Sequence, residues 1–234
     1  MTMNTNIFFE PWIGKLYGKE NSLFKKKIMV LGASSYCGTC TDCGDRQKYP
    51  GCTNFLSRVV VADYLGHTKN PDKKKKTSWK KTYSSFINSM LGKSSSKNDR
   101  ERFFDSVVFY NYLQVSAGDN ASSAHLYPHG DSRYYAAFLE VLEKCSPDVV
   151  ICWGDRVWEN CKNKASGKID ETGVPFGGTT FKNFFRLPYD GGSALFIGVK
   201  HPCSGFGRNI HHQLFKDLIF QSDIHCSADL APHA

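Results

Sequence analysis

Short apolar runs alternate along the chain with stretches of helical periodicity. Residues 28–32 (Ile-Met-Val-Leu-Gly), 106–110 (Ser-Val-Val-Phe-Tyr) and 149–153 (Val-Val-Ile-Cys-Trp) are nearly continuous in apolar side chains. That is the pattern of strands buried on both faces. Residues 195–199 (Leu-Phe-Ile-Gly-Val) read as a fourth such strand, and 181–187 as a strand or an edge segment. Between them the spacing predicts helices over 53–65, 79–91, 131–144, 155–161 and 208–221. Thr53 is placed to cap the first, with Phe55, Leu56, Val59, Val60 and Tyr64 on its inner side. Tyr135, Phe138, Leu139 and Leu142 line the third, and Ile210, Leu214, Phe215 and Leu218 the last. Residues 92–100 are rich in Ser and Lys, residues 115–130 in Ser, Ala, Gly and Asn, and both read as loops. Strand–helix alternation of this kind predicts an α/β fold: a three-layer α/β/α sandwich around a mostly parallel, four-stranded sheet. Ligands bind such sheets at the carboxyl ends of the strands. The loops after Leu31, Tyr110, Trp153 and Val199 are therefore where chemistry is expected.

The chain has 234 residues, 41% of them hydrophobic, enough for one sizeable core and short for two. We expect a single domain over 1–234 carrying two inserts, at 37–52 and 66–81. No apolar run is long enough to span a bilayer as a helix. The first ten residues lack the basic-then-apolar pattern of a secretory leader. The expectation is a monomeric cytoplasmic protein with no membrane partner. The net charge is +8 and the isoelectric point about 9.0, a balance that suits a polyanionic partner, most commonly nucleic acid.

Four of the nine cysteines fall close together. Cys37, Cys40, Cys43 and Cys52 form C-x2-C-x2-C-x8-C among Gly, Thr, Asp and Arg, a polar setting unlike that of core thiols. Four thiolates so spaced can close one tetrahedral zinc site. The same run of three also suits a [4Fe-4S] cluster. The second insert holds Lys73-Lys74-Lys75-Lys76 followed by Trp79, Lys80 and Lys81. It reads either as a solvated loop or as a track for phosphates, with Lys80 a candidate DNA contact.

Taken in order, the strand ends offer Gly32-Ala33-Ser34-Ser35-Tyr36-Cys37, then Asn111, then Trp153-Gly154, then His201-Pro202-Cys203-Ser204-Gly205-Phe206. This set resembles the uracil-DNA glycosylase superfamily over roughly residues 28–219. The resemblance implies that superfamily's fold and an enzyme that flips a base out of DNA and hydrolyses its N-glycosyl bond, leaving an abasic site. Uracil is then the default substrate. A modified base, including hypermodified or glucosylated cytosine, is the alternative, with a role in base-excision repair or antiviral defence against phage.

The resemblance also implies roles for single residues. Tyr36, four residues after Gly32, matches the tyrosine of one branch's water-activating motif. The motif's carboxylate is replaced by Ser34, with Ala33 before it. Asp119, eight residues after Asn111, is then the nominated general base, with Ser34 a supporting hydrogen-bond partner. Asn111 corresponds to the asparagine that reads the flipped base, and an amide can both donate and accept. Tyr36 and Tyr112 are candidates to stack on that base, with core packing the competing role for Tyr112. His201 corresponds to the histidine that stabilises the departing anion. Phe206, between two glycines, is placed to wedge into the base stack. Ser204 and Arg208 are placed to hold phosphate, the latter at a helix start. Because the motif's carboxylate is missing, a non-catalytic nucleic-acid-binding protein that keeps the fold is the competing reading. A nucleotide-binding enzyme is disfavoured by the lack of GxGxxG and GxxxxGK[ST].

Overall fold

A computed structural model describes residues 5–36, 56–67, 79–118, 130–165, 184–203 and 207–216. Twelve elements follow in the order β1 (Trp12–Ile13), β2 (Ile28–Gly32), α1 (Leu56–Leu65), α2 (Lys80–Leu91), α3 (Lys97–Asp105), β3 (Val107–Asn111), α4 (Ser132–Cys145), β4 (Val149–Trp153), α5 (Asp155–Lys164), β5 (Phe185–Tyr189), β6 (Gly192–Val199) and α6 (Arg208–Phe215). The fold is α/β. Its sheet is mixed and has six strands rather than the expected four, in the order β1-β3-β2-β4-β6-β5. The middle four, β3, β2, β4 and β6, run parallel. The edge strands β1 and β5 each pair antiparallel to their neighbour.

The three central strands β2, β3 and β4 are buried at every position. Their side chains alternate between two cores, as the two-residue strand period requires. Met29, Leu31, Val108, Tyr110, Val150 and Cys152 point to one side, where Tyr134, Phe138, Val141 and Leu142 of α4 and Val157 and Trp158 of α5 cover them. Ile28, Val30, Val107, Phe109, Val149, Ile151 and Trp153 point to the other, against α1, α2, α3 and α6. This second core is largely aromatic. Tyr83 and Phe86 of α2 meet Trp153 with ring centroids 5.4 and 4.9 Å away.

Three features differ from expectation for identifiable reasons. Helix α3 begins at Lys97, inside the stretch 92–100 whose composition predicts a loop. Its outer turns are all polar, but Ser96 and Asp99 make a reciprocal capping box, and Phe103 and Phe104 anchor its last turn in the core. Strand β5 closes on β6 through the two-residue turn Asp190-Gly191, with Tyr189 opposite Gly192 and Gly191 at φ 84°. That pair is a strong hairpin signal, and Pro188 is tolerated because β5 is an edge. Helix α1 faces inward through Ser57, Val61, Tyr64 and Leu65, with Val60 partly buried against the core as expected, but Val59 is exposed. The Tyr64 hydroxyl packs against Ser84 of α2 at 2.9 Å and draws that face inward.

Candidate functional site at the strand ends

From β2 the chain goes to β3 on one side in the sheet, and from there to β4 on the other side of β2. The switch point therefore lies between the carboxyl ends of β2 and β4. Crevices at such points are where open α/β sheets bind ligands. Residues 32–36 and Trp153-Gly154 border this switch point. Asn111 at the end of β3 and His201 after β6 flank it.

Beyond its last strand residue, β2 keeps company with the segment after β3. Tyr112 N–H donates to the Gly32 carbonyl at 2.9 Å, Leu113 to Ala33 at 3.0 Å and Ala117 to Ser35 at 2.8 Å. A further parallel bridge joins Ser35 and Ser116. The two loops thus leave the sheet as one paired ribbon, which fixes the height of Asn111 relative to Ser34 and Ser35.

Asn111 is buried. Its Nδ2 donates to Ser35 Oγ at 2.6 Å. Its Oδ1 lies over Gly32, where any Cβ would fall closer than 3.0 Å to it. Glycine at the end of β2 is therefore the space in which the Asn111 amide sits. The backbone carbonyl of Asn111 accepts from Gln114 Nε2 at 3.1 Å. Gln114 Oε1 in turn accepts from the N–H groups of Phe8 and Phe9 at 2.8 and 2.9 Å. This buried glutamine, which pattern reading passed over, ties the N-terminal segment to the asparagine.

Ser34 and Tyr36 meet each other: Ser34 Oγ donates to the Tyr36 hydroxyl at 2.9 Å. Tyr36, four residues beyond the end of β2, is exposed. Its phenol lies on the aromatic side of the sheet, near Tyr83, whose own pKa is pushed up first by burial and then by the phenols of Tyr36 and Tyr64. Tyr36 thus offers an accessible ring beside the crevice.

His201 lies edge-on to Trp153 with ring centroids 6.1 Å apart. Gly154, at φ 88°, lets the chain turn out of β4 in a conformation that side chains resist, and its open face meets the His201 ring. Burial lowers the His201 pKa below the ordinary 6.5, so the imidazole is neutral at physiological pH. Its Nδ1 lies 2.9 Å from Cys203 Sγ and accepts the Cys203 N–H at 3.5 Å.

Two expected site residues lie elsewhere. Tyr112 is fully buried on the α4 side, edge-to-face with Tyr134 and Phe138, and its hydroxyl accepts from Asn160 Nδ2. It is a core residue and presents no face to a base, because the step from 111 to 112 turns the side chain to the other side of the sheet. Lys80 is also engaged. Its ammonium donates to the Asp63 carbonyl at 2.7 Å and lies 3.3 Å from Asp63 Oδ1, with the Trp79 ring 5.3 Å away. It joins α2 to the end of α1. Arg208 is exposed in the first turn of α6. Asp155, which pattern reading overlooked, follows Gly154 directly in the first turn of α5 and is exposed. It puts a carboxylate at the end of β4.

Asp119, Ser204, Phe206, the run 73–76 and the cysteines Cys37, Cys40, Cys43 and Cys52 lie outside the described residues. Among the described residues no cluster of His, Cys, Asp or Glu is placed to hold a metal ion, and no helix is long and apolar enough to cross a membrane. Compared with models of known protein families, the chain matches none. A comparison with curated proteins likewise finds no match.

Proposed function

We propose that the chain is a monofunctional DNA N-glycosylase that extrudes a base, either uracil or a modified cytosine, and hydrolyses its bond to deoxyribose. One observation carries this reading: the switch-point crevice is flanked by a rigidly held carboxamide, Asn111, and a neutral, part-buried imidazole, His201. Cleavage of a C–N glycosidic bond leaves an oxocarbenium-like sugar and a base carrying negative charge. A fixed amide reads the edge of the base. A neutral imidazole with an N–H to donate stabilises the anion as it departs without needing to take up a proton first. Tyr36 lines the crevice and Arg208 meets phosphate. A carboxylate orients the attacking water. Asp119 is the nominated residue and Asp155 the second candidate. The four cysteines hold one zinc ion, or alternatively an iron–sulfur cluster, that braces the loop carrying Ser34 and Tyr36.

The test is incubation with duplexes bearing uracil and with phage DNA bearing modified cytosines, followed by alkaline cleavage at abasic sites. Strand breaks that depend on Asn111 and His201 are the expected result. Absence of breaks on every substrate, with the metal site filled, would remove the enzyme from consideration.

The competing reading is a binding protein that has lost catalysis. The observation in its favour is that Ser34, in the position of the missing motif carboxylate, directs its hydroxyl to Tyr36. DNA binding without base release would support it.

A further inference from the structure

The proposed chemistry needs His201 to present a donor, and a neutral imidazole has only one N–H. Which nitrogen carries it depends on what the other nitrogen meets. Here Nδ1 meets two groups from one residue, the backbone N–H of Cys203 at 3.5 Å and its sulfur at 2.9 Å. The backbone N–H can only donate, so Nδ1 turns its lone pair toward Cys203. A thiol can donate or accept. Beside a nitrogen whose lone pair faces it, it donates.

We propose that the Cys203 thiol is a positioning residue for His201, giving its S–H to Nδ1 and so keeping the ring proton on Nε2. The contact also fixes the rotation of the ring, since the sulfur holds one edge while Trp153 and Gly154 border the ring. Cys203 is exposed, so its substitution leaves the core untouched. The catalytic consequence rests on the glycosylase reading. The placement of the proton does not.

The experiment uses the full chain labelled with 15N in its histidine rings, His201 being assigned by its loss in His201→Gln. Long-range nitrogen–proton spectra between about pH 6 and 8 should show His201 with an unprotonated Nδ1 and a protonated Nε2. Cys203→Ser should keep that pattern, because a hydroxyl also donates. Cys203→Val keeps only the long 3.5 Å backbone contact and loses the thiol, so it should shift the Nδ1 resonance and raise the share of the second tautomer. In turnover, Cys203→Val should lower kcat by about tenfold with little change in KM, the size expected for one lost hydrogen bond, and Cys203→Ser should restore it. A ring proton on Nδ1, or an imidazolium beside a thiolate, would overturn the proposal, as would a valine variant with wild-type spectrum and kcat. If no substrate is turned over while the spectra are as expected, the glycosylase reading falls and the thiol's role stands. If bases are released while the proton sits on Nδ1, the reverse holds.

Discussion

Placing a methyl group on Gly32 tests whether the end of β2 is built around the Asn111 amide. In Gly32→Ala the new Cβ falls closer than 3.0 Å to Asn111 Oδ1, and the next atoms, Phe109 Cζ and Asn111 Cγ, stand at 3.4 and 3.5 Å. The amide must move. Moving it breaks the 2.6 Å bond to Ser35 Oγ, and both partners are buried. Overpacking a tight site costs about 1–3 kcal/mol, and losing a buried hydrogen bond costs about 1–3 kcal/mol. Allowing for partial relaxation, Gly32→Ala should destabilise by about 2–4 kcal/mol. In an Asn111→Ala background no Oδ1 remains to be struck, so the same change should cost less than about 1 kcal/mol. Urea unfolding of the wild type, both single variants and the double variant measures the difference. A coupling of about 1–3 kcal/mol is expected, the double variant being more stable than the sum of the singles predicts. Additivity within about 0.5 kcal/mol would refute it.

The remaining predictions follow from the rest of the site. Tyr112→Phe removes the hydroxyl that Asn160 meets and should cost about 1 kcal/mol in unfolding free energy, with base selectivity unchanged; altered selectivity would return Tyr112 to the pocket. Burial lowers the pKa of both His201 and His211, so below about pH 6.5 the unfolded chain binds more protons than the native one. Stability should therefore be full above that pH and fall on acidification, more shallowly in His201→Gln; equal slopes for the two proteins would contradict the assignment. Elemental analysis should find one zinc per chain and no visible charge-transfer absorption, and removal of the metal should lower the melting temperature; iron with inorganic sulfide would select the cluster instead. Asp119→Asn should abolish turnover with DNA binding retained, whereas full activity in that variant and loss in Asp155→Asn would move the base to the end of β4.

The sheet was legible wherever burial dominates. β2 and β4 lie at the residues read from their apolar runs, and β3 is displaced by one residue, because strands covered on both faces leave unbroken hydrophobic segments. What escaped reading is held by polar contacts. β1 is two residues long and is fixed by pairing with β3 and by the Trp12 indole N–H to the Phe104 carbonyl at 2.8 Å, neither of which leaves a periodic trace. Helix α3 is announced only by Ser96 and Asp99. The strand-end positions of Asn111 and His201 were readable because each closes or follows the apolar run of a parallel strand. Their supports were not. Ser35, Gln114 and Cys203 are ordinary residues in sequence and acquire roles only when the paired loops and the turn after β6 bring them to an amide or an imidazole. Of the two roles open to Tyr112, core packing holds for a related reason: the residue after a strand end points to the opposite core, and its neighbour on α5, Asn160, is 48 positions away.

A DNA glycosylase is distinguished from a DNA-binding protein by the free base it releases. The direct measurement is mass spectrometry of the small molecules released when metal-replete protein is incubated with uracil-containing and modified-cytosine DNA. An intact free base is expected from at least one substrate, with an abasic site left behind. Release should fall by about a hundredfold or more in His201→Ala, the scale of losing a transition-state donor. No released base from any substrate, or release that survives His201→Ala undiminished, would contradict the glycosylase reading.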